Sequence, residues 1–383
     1  MRTQGCDFFA GVPDSLLKAF CACVKDQAPE GKFWITANEG AAVAMGMGAY
    51  LAGGKIPVVY LQNSGLGNTL NPLASMADPL VYGIPLLLII GWRGELGQGS
   101  EECGEQLKDE PQHRAQGRIM LPWLKSSGIP YTILSPEETQ AEKATAELLR
   151  IAKQEQRPVA VVVRKNTFSD YRSAASSLAS PSASPLEMSR EEAIALFLDE
   201  VSQTTGGPII STTGMISREL FEQRALRGES HERDFLVVGA MGHASSIAQG
   251  VALQTPQSPV YCLDGDGALL MHMGSLAIIG QNRNLTHFKH IVLNNGAHDS
   301  VGGQATVALE LDIPALAQIS GYAWAAGCSS RAELQKLLPQ FLAANGPALL
   351  EIRVQKGARG DLGRPRLSSQ EMKAAFVNYL TRK

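Results

Sequence analysis

The stretch Tyr261-Cys262-Leu263-Asp264-Gly265-Asp266-Gly267, read with Ile291-Val292-Leu293-Asn294-Asn295-Gly296, decides the fold. Each is a short apolar run that breaks abruptly into turn residues, the form of a buried strand ending at a loop. Asp266 and Asn295 lie 29 positions apart, room for one helix and a return strand. A βαβ unit of that length brings both strand ends to the same edge of a parallel sheet, where ligands usually bind. One carboxylate and one amide oxygen then converge. Such hard donors suit Mg²⁺, which prefers octahedral oxygen ligands and commonly shares its shell with a phosphate. Asp-Gly and Asn-Gly are also ordinary turn dipeptides, so the case rests on two strand ends, their spacing and a donor at each. A calcium loop is excluded, because its fifth and twelfth positions would be Ala268 and Ser275.

Working outward, strand-like runs occur at 58–61, 85–90, 131–134 and 159–163, and again at 209–211, 235–238, 260–263, 291–293 and 349–354. Amphipathic, helix-length segments separate most of them, which predicts two parallel-sheet α/β domains. The Ser/Ala/Pro-rich stretch 173–186 reads as a linker between a first domain, 1–172, and a second, 187–383. The 383 residues suffice for two full cores, and the net charge of −3 with no basic run argues against a nucleic-acid partner. The six cysteines form no CxxC pair, the N-terminus lacks a signal-peptide pattern, and the longest apolar run, 84–90, is far too short for a membrane span. A cytoplasmic protein is the expectation.

Gly265-Asp266-Gly267 followed by Asn294-Asn295 resembles the diphosphate–Mg²⁺ signature of thiamine diphosphate enzymes. That resemblance implies a metal held by Asp266, the Asn295 side chain and the Ala297 carbonyl, with Gly265, Gly267 and Ala268 lining the diphosphate. The helix that begins Asn38-Glu39-Gly40-Ala41-Ala42-Val43-Ala44-Met45-Gly46 carries glycines that cost helix stability but permit close approach by another backbone. On its own Glu39 is equally a helix-dipole residue. In thiamine enzymes a Glu at the start of such a small-residue helix hydrogen-bonds N1′ of the aminopyrimidine, and Glu39 matches that position.

Other loops follow the same pattern. Thr213 and Gly214, between a strand end and a helix, offer a hydroxyl and N–H groups to phosphate. Gly239-Ala240-Met241-Gly242-His243 repeats the device one unit later. There the resemblance makes Met241 the prop for a bent cofactor and the Gly239 carbonyl an acceptor from it. Asn63 and Ser64, in the glycine loop 62–68, fall on the substrate side. Arg93, and His113-Arg114 further on, resemble phosphonopyruvate decarboxylases, which share fold and motifs with sulfopyruvate decarboxylases. The segment 96–107 is longer and more acidic than that family's usual connection.

The implied architecture is a pyrimidine-binding domain and a diphosphate-binding domain with no middle domain. The implied assembly is a homodimer or homotetramer with active sites between chains. The implied substrate is a small anionic 2-ketoacid of phosphonate metabolism, with Arg93 and Arg114 as cations for its second acidic group, and Arg359 and Arg364 either sharing that role or salt-bridging the C-terminal arm. His113 and His298 are the candidate proton donors. Sulfopyruvate decarboxylation and a synthase reaction are the alternatives within this chemistry. A nicotinamide dehydrogenase is disfavoured by the missing GxGxxG, and a non-catalytic binding protein by Glu39 and the metal-ligand pair.

Overall fold

The computed structural model describes residues 5–97, 108–171, 186–204 and 206–382. The chain divides into two compact units, Met1–Ser180 and Pro181–Lys383. The predicted linker, apart from Leu186, and positions 98–107 of the acidic segment lie outside the described residues.

The first unit runs β1 (Phe9–Gly11), α1 (Lys18–Gln27), β2 (Phe33–Ile35), α2 (Glu39–Gly53), β3 (Val58–Gln62), α3 (Leu66–Pro72), β4 (Leu87–Gly91), α4 (Pro111–Ser126), β5 (Tyr131–Ile133), α5 (Glu138–Glu155) and β6 (Val159–Val163). Its six strands lie in the order β2-β1-β3-β4-β6-β5, every neighbouring pair parallel. The central strands are buried along their whole length because helices cover both faces. Alternate residues feed two cores: Val59, Leu61, Leu88 and Ile90 enter one, and Val58, Tyr60, Leu87 and Ile89 the other.

The second unit runs α6 (Arg190–Ser202), β7 (Ile209–Ser211), α7 (Met215–Leu226), β8 (Asp234–Leu236), α8 (Ala244–Gln254), β9 (Val260–Gly265), α9 (Asp266–Met271), α10 (Ser275–Gly280) and β10 (Phe288–Asn294). A hairpin of β11 (Ala297–His298) and β12 (Gln304–Ala305) follows. Then come α11 (Ile313–Ser320), β13 (Trp324–Cys328), α12 (Arg331–Ala343), β14 (Ala348–Arg353) and α13 (Ser369–Thr381). The parallel sheet has the order β13-β14-β10-β9-β7-β8. Numbered from the first strand of each unit, both sheets read 2-1-3-4-6-5. The two halves are therefore two copies of one topology, and the described residues contain no third sheet of comparable size.

Three details differ from the sequence reading. Two short helices, α9 and α10, occupy the space between β9 and β10 where one was expected, the chain breaking at His272. Three strands of the two main sheets, β1, β2 and β13, and both strands of the β11–β12 hairpin were not read from the sequence. The stretch 11–15 reads from the sequence as a turn into a helix with Asp14 or Ser15 as its N-cap, but α1 begins after Leu17 without a side-chain cap.

Candidate functional site

In an open parallel sheet, ligands bind beyond the carboxyl ends of the strands, at the point where the chain reverses its direction of winding. In the second unit that point lies between β7 and β9. Every predicted cofactor residue of this unit sits at that edge, at the ends of β7, β8, β9 and β10 or in the segments that follow them.

Asp266 opens α9 and is 3% exposed. Its carboxylate accepts from the Thr306 hydroxyl and from the backbone N–H groups of Asn295, Gly267 and Asp266 itself, and burial pushes the carboxyl above its ordinary value against these bonds. Asn295 is buried beside it: its Oδ1 accepts from the Ala297 N–H at 3.0 Å and its Nδ2 donates to Asp299 at 2.5 Å. Gly267 is glycine for a steric reason. A Cβ there would lie 2.8 Å from the His298 ring and 3.1 Å from the Met241 methyl. Asp266, Gly267, Asn295, His298 and Met241 thus form one cluster, and Ala297 begins the β11 hairpin beside it. Burial holds the His298 imidazole below its usual value.

The loop after β8 turns sharply, with Ala240 and Gly242 both at positive φ. His243 folds its Nδ1 back on the Ala240 carbonyl, 3.1 Å away, and its ring meets that of His272 at 4.4 Å. Half-buried Gly239 precedes this turn, and Ala268, on the opposite side, offers its carbonyl 3.0 Å from where a Gly242 Cβ would stand. After β7, Gly214 has φ 99° and supplies the N-cap position of twelve-residue α7, with Thr213 half-buried before it. Thr212, next to them, has a buried hydroxyl with no hydrogen-bond partner.

In the first unit Glu39 is the first residue of α2, 5% exposed, behind an Asn38 side chain that accepts from the Ala41 N–H. Asn68 donates to its Oε2 at 2.7 Å, and a Cβ on Gly65 would fall 2.2 Å from Oε1. Gly40 admits that partner: its own Cβ would lie 2.7 Å from the Asn68 carbonyl oxygen. The close approach expected of this glycine-rich helix is therefore made to the 62–68 loop.

The substrate-side candidates are mostly engaged with one another. Both polar ends of the Asn63 amide are taken by the Arg93 backbone, at 3.0 Å each. Arg93 grips Asp109 through Nε at 2.9 Å and Nη2 at 2.7 Å, and donates from Nη1 to Ser15. Ser64 is exposed and accepts from Gln62. His113, on α4, has a buried Nδ1 without a partner; burial first, then the Arg93 charge, hold the imidazole below its ordinary value, with Asp109 opposing. Arg114 is exposed on the same helix. In the second unit Arg359 pairs with Glu191, Glu222 and Asp361, so it ties down the C-terminal arm, one of the two roles its sequence left open. Arg364 is exposed on that arm.

One buried group was read from the sequence only as a candidate helix cap. Asp14 is fully buried; its Oδ2 accepts from the Leu16 N–H, its Oδ1 has no partner, and a Cβ on Gly91 would collide with it at 2.0 Å. Burial pushes this carboxyl up to about 6.

The residues fit the expected ligands. Asp266 is a buried carboxylate faced by a hydroxyl and N–H groups, a setting that a divalent cation would relieve. The Thr212 hydroxyl and the N-terminus of α7 offer unused donors for a phosphate.

The chain matches the N-terminal TPP binding domain of thiamine pyrophosphate enzymes over residues 1–118 and their C-terminal TPP binding domain over residues 213–352. It is therefore a member of the thiamine pyrophosphate enzymes. It is 34% identical to the phosphonopyruvate decarboxylase of Streptomyces viridochromogenes, over 97% of this chain and 91% of that one. Its identity to the phosphonopyruvate decarboxylase of Streptomyces hygroscopicus is 33%, over 97% and 90%. The sulfopyruvate decarboxylase of Methanosarcina acetivorans is 28% identical, over 93% and 90%. The chain belongs to the phosphonopyruvate decarboxylase family.

Proposed function

We propose that this chain decarboxylates 3-phosphonopyruvate to phosphonoacetaldehyde and CO₂, using thiamine diphosphate and Mg²⁺. The observation that carries the cofactor half is the contact between Asp266 and Asn295 at adjacent strand ends. The substrate is supported by near-full-length similarity to two phosphonopyruvate decarboxylases.

When bound, thiamine diphosphate supplies an electron sink for the pair released as CO₂ departs. The chain's own residues do the rest. Asp266, Asn295 and the Ala297 carbonyl hold the metal. Thr212, Thr213 and Gly214 present donors to the diphosphate, with Gly265, Gly267 and Ala268 close against it. Gly239, Met241, Gly242 and His243 shape the turn that supports the ring. Glu39 accepts or shares a proton at a ring nitrogen, its carboxyl aimed by Asn68 and cleared by Gly65. His113 and His298, both buried and held below the usual imidazole value, are the groups that deliver a proton to the carbon left by CO₂. Arg93 and Arg114 supply positive charge for the phosphonate, Arg93 from a position fixed by Asp109. The working form is a homodimer or homotetramer in the cytoplasm; no helix among the described residues is long and apolar enough to cross a membrane.

Sulfopyruvate is the competing substrate, favoured by the similarity to a sulfopyruvate decarboxylase. The test is kcat/KM for both acids with purified, cofactor-loaded protein. The proposal expects phosphonopyruvate to be preferred. A preference for sulfopyruvate reassigns the substrate, and an acyloin product would make the chain a synthase.

A further inference from the structure

A carboxamide can bind a hard cation only through its oxygen, and nothing in its shape tells oxygen from nitrogen. Something outside it must fix which end faces the metal. For Asn295 that group is Asp299. The Asp299 Oδ2 accepts three donors: the Asn295 Nδ2 at 2.5 Å, the Arg190 Nη1 at 3.0 Å and the Gly357 N–H at 3.0 Å. An ion-paired carboxylate can only accept, so the end of Asn295 that faces it is the amino end. The oxygen is left on the far side, against the Ala297 N–H.

Asp299 is itself anchored. Arg190 is buried on α6, and its remaining edge grips Glu219 of α7 through Nε at 2.7 Å and Nη2 at 2.9 Å. Arg190 also donates to the Gly357 carbonyl at 3.2 Å, so that arm is held through both the N–H and the carbonyl of Gly357. A buried relay, Glu219–Arg190–Asp299, runs from the α6–α7 pair to the metal-ligand loop. Breaking a buried ion pair is costly, and that cost keeps the relay in one geometry.

We propose that Asp299 is a positioning residue for metal binding: held by Arg190, it orients the Asn295 carboxamide so that Oδ1 is presented to the divalent cation. The proposal rests on the reading of Asn295 as a metal ligand. Asp299 touches neither metal nor substrate; it acts through Asn295. Outer-shell partners of this kind are worth roughly 10–100-fold in metal affinity.

The test is a double-mutant cycle read as Mg²⁺ affinity, by calorimetry at saturating thiamine diphosphate, with Mn²⁺ and its electron paramagnetic resonance as a second probe. Four full-length proteins are compared: parent, Asp299→Ala, Asn295→Ala and the pair. Asp299→Ala should weaken Mg²⁺ roughly 10–100-fold in the parent background and less than about twofold in the Asn295→Ala background. Asp299→Asn, which retains an acceptor oxygen, should fall between parent and Asp299→Ala. Equal losses in both backgrounds would mean that Asp299 acts on the fold rather than through Asn295, and would overturn the proposal. So would an Asp299→Ala affinity within about twofold of the parent. Failure of the underlying reading shows differently: the parent itself takes up no Mg²⁺ with the cofactor, or Asn295→Ala binds as tightly as the parent. Far-UV circular dichroism and metal-free melting keep a misfolded variant from being read as either result.

Discussion

The backbone N–H of Asn295 faces the carboxylate of Asp266, bringing the residue just after β10 against the residue just after β9. Parallel pairing of these strands puts their carboxyl ends side by side, and Thr306, from beyond the β11–β12 hairpin, closes the third side. The oxygens that gather there are hard donors in a buried pocket. Dialysis against a chelator should therefore abolish turnover, and Mg²⁺ should restore it. Asp266→Ala should weaken cofactor retention by roughly 100-fold or more at fixed Mg²⁺, measured by fluorescence quenching. Retention equal to the parent would remove Asp266 from the site.

Thr212 offers a sharper discrimination between fold and ligand. Its hydroxyl is buried and unpartnered, so it contributes little to the free protein and carries a desolvation cost. Thr212→Val should leave the melting temperature of the apo protein unchanged or raised, while thiamine diphosphate affinity falls by roughly 10-fold, the worth of one hydrogen bond to a charged group. A destabilised apo protein with unaltered affinity would contradict this role.

Gly65 and Glu39 make a coupled pair. Gly65 has φ −81°, which any residue adopts, so alanine strains no backbone there and meets only the Glu39 carboxyl. Gly65→Ala should cost about 1–3 kcal/mol of stability by overpacking and reduce turnover toward that of Glu39→Gln, expected to be down about 100-fold or more. Both variants should still retain cofactor. A Gly65→Ala enzyme of normal turnover would show that the exact placement of Glu39 is unimportant.

Asp14 gives a pH prediction whose sign is fixed. Burial raises its carboxyl from 3.8 to about 6, so between these values the folded protein holds a proton that the unfolded chain has lost. Its contribution to stability is full below pH 3.8 and is lost as pH rises through about 6. Asn cannot titrate. The stability of Asp14→Asn relative to the parent should rise across this window by about 2–3 kcal/mol and then level off, followed by urea denaturation at several pH values. A flat difference would show that the carboxyl is not desolvated in the folded state.

Much of this was legible in the sequence because long buried strands announce themselves. Leu87–Gly91 and Val159–Val163 are continuous apolar runs, as parallel strands covered on both faces must be, and β10 shows its apolar stretch at Ile291, Val292 and Leu293. Strands β1 and β2 are three residues each, too short for any period, and β13, Trp-Ala-Ala-Gly-Cys, has small residues where branched ones would mark a strand. Motif positions such as Asp266, Asn295 and Glu39 stood out because turn chemistry or helix position singled them out. Their supporting residues did not. Asn68 meets Glu39 across 29 positions and Thr306 meets Asp266 across 40, pairings that only the folded chain creates. Asp299 follows the hairpin strand β11 in a polar loop, where nothing local in the sequence distinguishes it from a solvated acid. The shared strand order of the two halves was equally hidden, because it lies in the pairing of strands and not in any repeat of residues.

The most direct test of the account is a ³¹P NMR time course with purified protein, thiamine diphosphate, Mg²⁺ and phosphonopyruvate. The account predicts that the substrate resonance is replaced by that of phosphonoacetaldehyde, and that omitting either the cofactor or the metal stops the conversion. An unchanged substrate resonance in the complete mixture, or conversion that proceeds at the same rate without thiamine diphosphate, would contradict it.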